Sequence, residues 1–105
     1  MGILDFFKGE DINQGVQEYR ATPGALLLDV RSPQEYQGGH IPGSSNLPLQ
    51  EIRRAKELAG PDTPLFVYCL SGARSRQAAG ILGQMGYTCV KNIGGISAYR
   101  GEVEQ

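Results

Sequence analysis

Two short runs set the terms for this chain: Ala25-Leu26-Leu27-Leu28-Asp29-Val30 and Leu65-Phe66-Val67-Tyr68-Cys69. Both are almost continuously apolar, without the alternation of a strand wetted on one face. That pattern suits strands covered on both sides, the usual state of a parallel strand. Helical segments separate them. Ile12 to Ala21 puts Ile12, Val16 and Tyr19 at helical spacing, and Thr22-Pro23-Gly24 stops it. Ser32-Pro33-Gln34-Glu35 is a capping-box arrangement, with Ser32 as N-cap, Pro33 at the first helical position and Glu35 at the third; that short helix ends near Gly38-Gly39. Gln50 to Ala59 reads as a polar helix ended by Gly60-Pro61. Ser75 to Met85 is the clearest helix, with Ala78, Ala79, Ile81, Leu82 and Met85 as its buried stripe and Gly86 closing it. His40-Ile41-Pro42-Gly43 reads as a turn, Ser45-Asn46-Leu47 and Thr88-Cys89-Val90 as brief strands, and Ile93-Gly94-Gly95-Ile96 as a turn. Strands alternating with helices predict an α/β fold: a small three-layer domain with a central, mostly parallel sheet flanked by helices.

The chain has 105 residues, which fits one domain over 1–105, with residues 1–10 as a short N-terminal extension. No repeat, low-complexity tract or linker divides it. A domain of this size buries roughly two-thirds of its unfolded-chain surface, so one core suffices without disulfide staples. Ten Lys and Arg against eleven Asp and Glu give a net charge of -1. That balance argues against a nucleic-acid binder, which shows a basic excess, and leaves room for a small local cationic pocket. Two cysteines, Cys69 and Cys89, are too few for a secreted disulfide framework or a cysteine-only zinc site. No stretch is long and apolar enough to span a bilayer. Met1 to Lys8 has an acid inside its apolar run and no basic leader, unlike a signal peptide, and Phe6 stands where a myristoylation signal wants Ser or Thr. The expectation is a cytoplasmic protein in a reducing compartment, with no membrane or nucleic-acid partner, whose Ile3, Leu4, Phe6 and Phe7 pack on the domain.

Cys69 ends a buried strand where a loop opens into a helix, and carboxyl ends of strands are where open α/β sheets place their sites. In Cys69-Leu70-Ser71-Gly72-Ala73-Arg74-Ser75, Gly72 lets the backbone curl so that successive N–H groups converge on the sulfur. The following helix points its positive N-terminus the same way. Arg74 adds a positive charge or locks the loop by pairing with an acid. All three effects favour the thiolate, which is the nucleophile, and the same cradle holds an oxyanion beside the sulfur. Free cysteines are commonly inert core residues. The strand, cysteine, glycine loop and helix in succession favour chemistry here.

Three segments together resemble the rhodanese family of sulfurtransferases, in its single-domain form, from about Ile12 to Tyr99. They are Leu27 to Tyr36 continuing into Gly39-His40-Ile41-Pro42-Gly43-Ser44, then the Cys69 loop with Arg74-Ser75, and finally Gly94-Gly95-Ile96-Ser97-Ala98-Tyr99. Related phosphatases and arsenate reductases carry a C-x5-R loop that fits a tetrahedral oxyanion; Cys69 to Arg74 is C-x4-R, the shorter sulfurtransferase version. The resemblance implies a two-step reaction through a Cys69 persulfide. Sulfane sulfur comes from a small donor such as thiosulfate, or from a persulfide, and passes to cyanide or a thiol acceptor, either a small thiol or a thioredoxin-like protein. It implies no metal and no cofactor beyond the covalent persulfide. The alternatives are a sulfur-relay or partner-binding module without free thiosulfate turnover and, disfavoured by the short loop, a phosphatase or arsenate reductase.

Carried over residue by residue, the resemblance makes Cys69 catalytic and Leu70, Ser71, Gly72, Ala73 and Arg74 the loop that cradles substrate and persulfide. For Arg74 a structural ion pair is favoured over a direct substrate contact. Asp29, Arg31 and Ser75 are supporting residues, with structural pairing favoured for Asp29 and Arg31. His40 is architectural, because transfer from an ionised thiolate needs no general base. Tyr99 stands where the family usually has Trp, adding a hydroxyl that needs a partner or solvent. Cys89 matches no catalytic position and is expected to pack.

Overall fold

The computed structural model describes residues 11–105. At its centre lies β3 (Leu65–Cys69), with every residue buried. β1 (Leu26–Asp29) flanks it on one side and β4 (Val90–Gly95) on the other, and β2 (Ser44–Asn46) lies outside β1. All pairings are parallel, in the order β2-β1-β3-β4. The side-chain period of a strand divides β3 between two cores. Phe66 and Tyr68 join Ile12, Val16, Leu27, Ile41 and Ile93 under helix α1 (Ile12–Ala21). Leu65, Val67 and Cys69 join Ala78 and Leu82 of helix α3 (Ala73–Gln84), with Ile52 and Ala55 of a 3₁₀ segment (Leu49–Glu57). A strand with a core on each side has no position for a solvated side chain, hence its uninterrupted apolar sequence. The three-layer α/β architecture is as expected.

Helix α2 (Pro33–Gln37) carries the complete capping box: the Ser32 hydroxyl accepts the Glu35 N–H at 3.2 Å, and the Glu35 carboxylate accepts the Ser32 N–H at 3.0 Å. Other boundaries differ from expectation. The segment read as a helix over Gln50 to Ala59 is 3₁₀ from Leu49 to Glu57, broken at Glu51, and its two buried residues, Ile52 and Ala55, are three apart, as a threefold helix requires. Helix α3 begins at Ala73, two residues before Ser75, because Gly72 at φ +103° turns the chain straight into it.

The end of the sheet corrects two further readings. Thr88 and Cys89 precede β4, and Cys89 is exposed, so it is not a packing residue. Gly94 and Gly95 are not in a turn: they are the last residues of β4, paired with Tyr68 and Cys69, and a 3₁₀ turn (Ile96–Ala98) follows. Strand β2 begins one residue early, at Ser44, which pairs with Leu27. Ile3, Leu4, Phe6 and Phe7 lie outside the described residues. Among the described residues, no helix is long and apolar enough to cross a membrane.

Candidate active site

Cys69 is the carboxyl-terminal residue of β3 and is only 1% exposed. Its neighbour across the sheet is Gly95, and the fit there is close: a Cβ on Gly95 would overlap the Leu70 carbonyl and the Ser71 Cα. The loop after Cys69 therefore lies directly on the end of β4. Ser97 N–H holds it there by donating to the Leu70 carbonyl at 3.1 Å. Gly95 is thus explained by the approach of two backbones, and Gly94 by its φ of +105°.

Within the loop, Gly72 in its left-handed conformation directs its N–H to Cys69 Sγ at 3.0 Å. Burial pushes the thiol pKa up. Hydrogen bonding from the Ser75 hydroxyl and from the N–H groups of Ser75, Gly72 and Ser71 outweighs it, and the net shift is downward. The Ser75 hydroxyl, at 3.4 Å from Sγ, has a single proton and a closer acceptor, Asn92 Oδ1 at 2.6 Å. The hydroxyl therefore donates either to Asn92 or, by turning, to the sulfur, whereas the Gly72 N–H serves the sulfur alone.

Asn92 ties the assembly together. Its Oδ1 also accepts the Gly94 N–H at 3.0 Å, and its Nδ2 donates to the Gly72 carbonyl at 3.3 Å. A register shift between Val67 and Tyr68 leaves Ile93 as the extra residue on β4. A bulge re-aims side chains: here Ile93 faces the α1 core while Asn92 hydrogen-bonds to the start of α3. Reading the sequence missed Asn92. The available signal was an amide side chain two residues before a pair of glycines.

Arg74, the only cation in the loop, is committed to Glu35. Its two terminal nitrogens meet the two carboxylate oxygens at 2.7 and 3.0 Å, joining α3 to α2. Hydrogen bonding to Arg74 is the main reason the Glu35 carboxyl is held down at about 2. Leu70, Ser71 and Ala73 are exposed around the sulfur, and Leu70 presents 44% of its surface.

Asp29 and Arg31 sit beside this centre and are fully or almost fully buried. Arg31 Nε and Nη2 grip the Asp29 carboxylate at 2.8 to 3.1 Å, and Nη2 also donates to the Gly39 carbonyl at 2.7 Å. Asn46 Nδ2 donates to the carbonyls of both residues. The pair fastens the end of β1 to the chain around His40. His40 stacks on Tyr36 with ring centroids 3.7 Å apart and bonds through Nδ1 to the Tyr36 carbonyl; it makes no hydrogen bond to Cys69. Tyr99 packs against the α1 core, its hydroxyl beside Gly101. An open groove of about 510 Å³, lined by Arg53, Lys56, Met85 and Tyr87 among others, contains none of the loop residues. Among the described residues, no three or more His, Cys, Asp or Glu side chains are grouped to hold a metal.

Comparison with known proteins agrees with this geometry. The family described as the rhodanese-like domain matches residues 13–102. An uncharacterized protein of Bacillus subtilis, YqhL, is 38% identical over 90 residues, covering 84% of this chain and 71% of its own. The thiosulfate sulfurtransferase PspE of Escherichia coli is 45% identical over 71 residues, covering 66% of this chain and 68% of its own. A solved structure of a rhodanese with anions from E. coli superposes with a TM-score of 0.70 at 37% identity, over 77% of this chain and 98% of that one. With most of its length matched and its cysteine loop built on the end of a parallel strand, the chain belongs to the rhodanese-like domain family.

Proposed function

We propose that this protein is a sulfurtransferase in which Cys69 carries a sulfane sulfur as a persulfide. The observation that carries the reading is the Gly72 N–H on Cys69 Sγ at 3.0 Å, within a loop that lowers the thiol pKa. In the first step the Cys69 thiolate attacks the terminal sulfur of the donor. With thiosulfate, a new S–S bond forms at Cys69, the sulfur–sulfur bond of the donor breaks, and its electron pair leaves with sulfite. With an organic persulfide, the leaving group is the donor's thiolate. In the second step an acceptor thiolate or cyanide attacks the outer sulfur, and the electron pair of the broken S–S bond returns to Cys69 as thiolate.

The near-complete burial of Cys69 supports donors whose transferable sulfur is a terminal atom, since such an atom reaches the loop floor ahead of the rest of the molecule. The amides of Leu70 to Arg74 stabilise the anionic persulfide, electrostatic work already built into the loop. The proton and electron accounting closes within the two thiols and the donor, so the persulfide itself is the only carrier the reaction requires. Acceptors are a small thiol or a thioredoxin-like protein. The cytoplasm is the compartment that keeps Cys69 reduced and reactive.

The test is intact mass after incubation with thiosulfate and, separately, with an alkyl persulfide, alongside thiosulfate:cyanide turnover. The expected result is gain of one sulfur by wild type and by Cys89→Ser, and none by Cys69→Ser. Failure of both donors to load Cys69 overturns the reading.

A further inference from the structure

The Arg74–Glu35 pair bears on which donor the site takes. Arg74 is the one cation the cysteine loop contributes, and its side chain is 37% exposed at the loop's rim. Each of its terminal nitrogens donates one hydrogen bond to Glu35, and the carboxylate compensates its charge. The carboxylate is equally fixed: the Ser32 N–H donates to it from the helix cap, so it cannot swing away without undoing the start of α2. The rim therefore presents a charge-compensated pair and not a free guanidinium. Leu70, the residue that follows Cys69, exposes an apolar side chain.

Donors differ at the end away from the transferred sulfur. Thiosulfate brings a compact sulfonate whose charge has to be met by a cation or by extra donors. An organic persulfide brings a carbon chain that gains from an apolar contact and needs no cation. The loop amides meet the transferred sulfur in both cases, so they cannot discriminate; selectivity is set by what differs. We propose that Glu35 is a specificity-determining residue: by holding Arg74 and leaving Leu70 as the open contact, it makes an organic persulfide, rather than thiosulfate, the preferred sulfur donor.

The inference rests on Cys69 being the sulfur carrier, and the experiment separates the two. The full chain, in a Cys89→Ser background, is mixed with increasing thiosulfate or with increasing ethyl persulfide, and loading of Cys69 is followed by intact mass after rapid quenching. Wild type is expected to half-saturate at a lower concentration of ethyl persulfide than of thiosulfate. Glu35→Gln keeps the cap, because Gln serves the third position of a capping box as well as Glu. It removes the counter-charge of Arg74 and one of its two acceptors, and the ratio of the two half-saturation concentrations shifts about tenfold toward thiosulfate, the order of one regained hydrogen bond to a charged group. The shift fades as salt is raised and is absent in Glu35→Gln/Arg74→Met. Arg74→Met alone strands the Glu35 charge at the rim and moves the ratio the opposite way. Should Glu35→Gln fold poorly, this second variant decides.

If both donors load Cys69 and the ratio is the same in wild type, Glu35→Gln and Arg74→Met, the selectivity inference is overturned and the sulfur-carrier reading stands. A wild type that half-saturates first with thiosulfate overturns it as well. If neither donor loads Cys69, it is the underlying reading that fails.

Discussion

The Gly72 N–H addresses Cys69 Sγ from 3.0 Å, and it can do so because Gly72 occupies φ +103°, a conformation a side chain would strain. A sulfur held by fixed amides ionises more readily than a free thiol, against the opposing effect of its own burial. In Cys89→Ser protein, the pH profile of Cys69 alkylation is expected to have its midpoint below the ordinary thiol value of about 8.5. A midpoint at or above that value removes the electrostatic role assigned to the loop.

Ser75→Ala takes a hydroxyl from the sulfur and from Asn92 together. Asn92 Oδ1 keeps the Gly94 N–H, so no acceptor is orphaned, and the expected stability loss is about 1 kcal/mol. The alkylation midpoint should rise. An unchanged midpoint means the hydroxyl stays with Asn92 when the thiolate forms.

Gly95→Ala drives a methyl group into the Leu70 carbonyl and the Ser71 Cα. Backbone cannot rotate aside as a side chain can, so the loop has to lift from β4. Overpacking costs about 1–3 kcal/mol, visible in a urea melt, and sulfur loading should fall by more than the stability loss explains. Loading at the wild-type rate contradicts a cradle held in place by the strand beneath it.

Arg31→Met leaves the wholly buried Asp29 carboxylate without its counter-charge. Breaking such a pair from one side costs about 3–5 kcal/mol. Replacing both residues by apolar ones of similar volume should recover much of that loss. A denaturant-melt double-mutant cycle gives the comparison, and additive losses from the two single variants would contradict direct pairing.

Acid should weaken the Arg74–Glu35 tie in a defined window. The Glu35 carboxyl is held at about 2, below its ordinary value of 4.5, chiefly by hydrogen bonding to Arg74. A depressed carboxyl contributes its stabilisation fully above the ordinary value and loses it as pH falls through the folded value. Between pH 4.5 and about 2, the melting temperature of wild type should therefore fall more steeply than that of Glu35→Gln. Parallel curves exclude the pair as a source of stability.

The sheet was legible in the sequence because β1 and β3 have cores on both sides, which imposes an apolar run that few other structures need. The cap of α2 was equally plain, since its hydrogen bonds join residues three apart. What escaped depends on contacts distant along the chain. Gly94 and Gly95 look like a turn until the Cys69 loop is laid over them. Asn92 acquires its importance from a bulge that no local pattern announces. Glu35 was read as a cap, and its second bond, to Arg74 thirty-nine residues away, follows only from the folding of α2 against α3.

The cysteine loop is tethered at three points: the Cys69–Gly95 pairing, the Ser97 bond to Leu70, and the Arg74 bond to Glu35. Insertion of one residue between Cys69 and Arg74 cannot widen it by flexing alone, because neither end has slack. The added length would displace Arg74 along the axis of α3 or pull Leu70 off Ser97. Converting this scaffold to a broader oxyanion site is thus a problem of re-anchoring, in which α2 and the 96–98 turn have to change along with the loop.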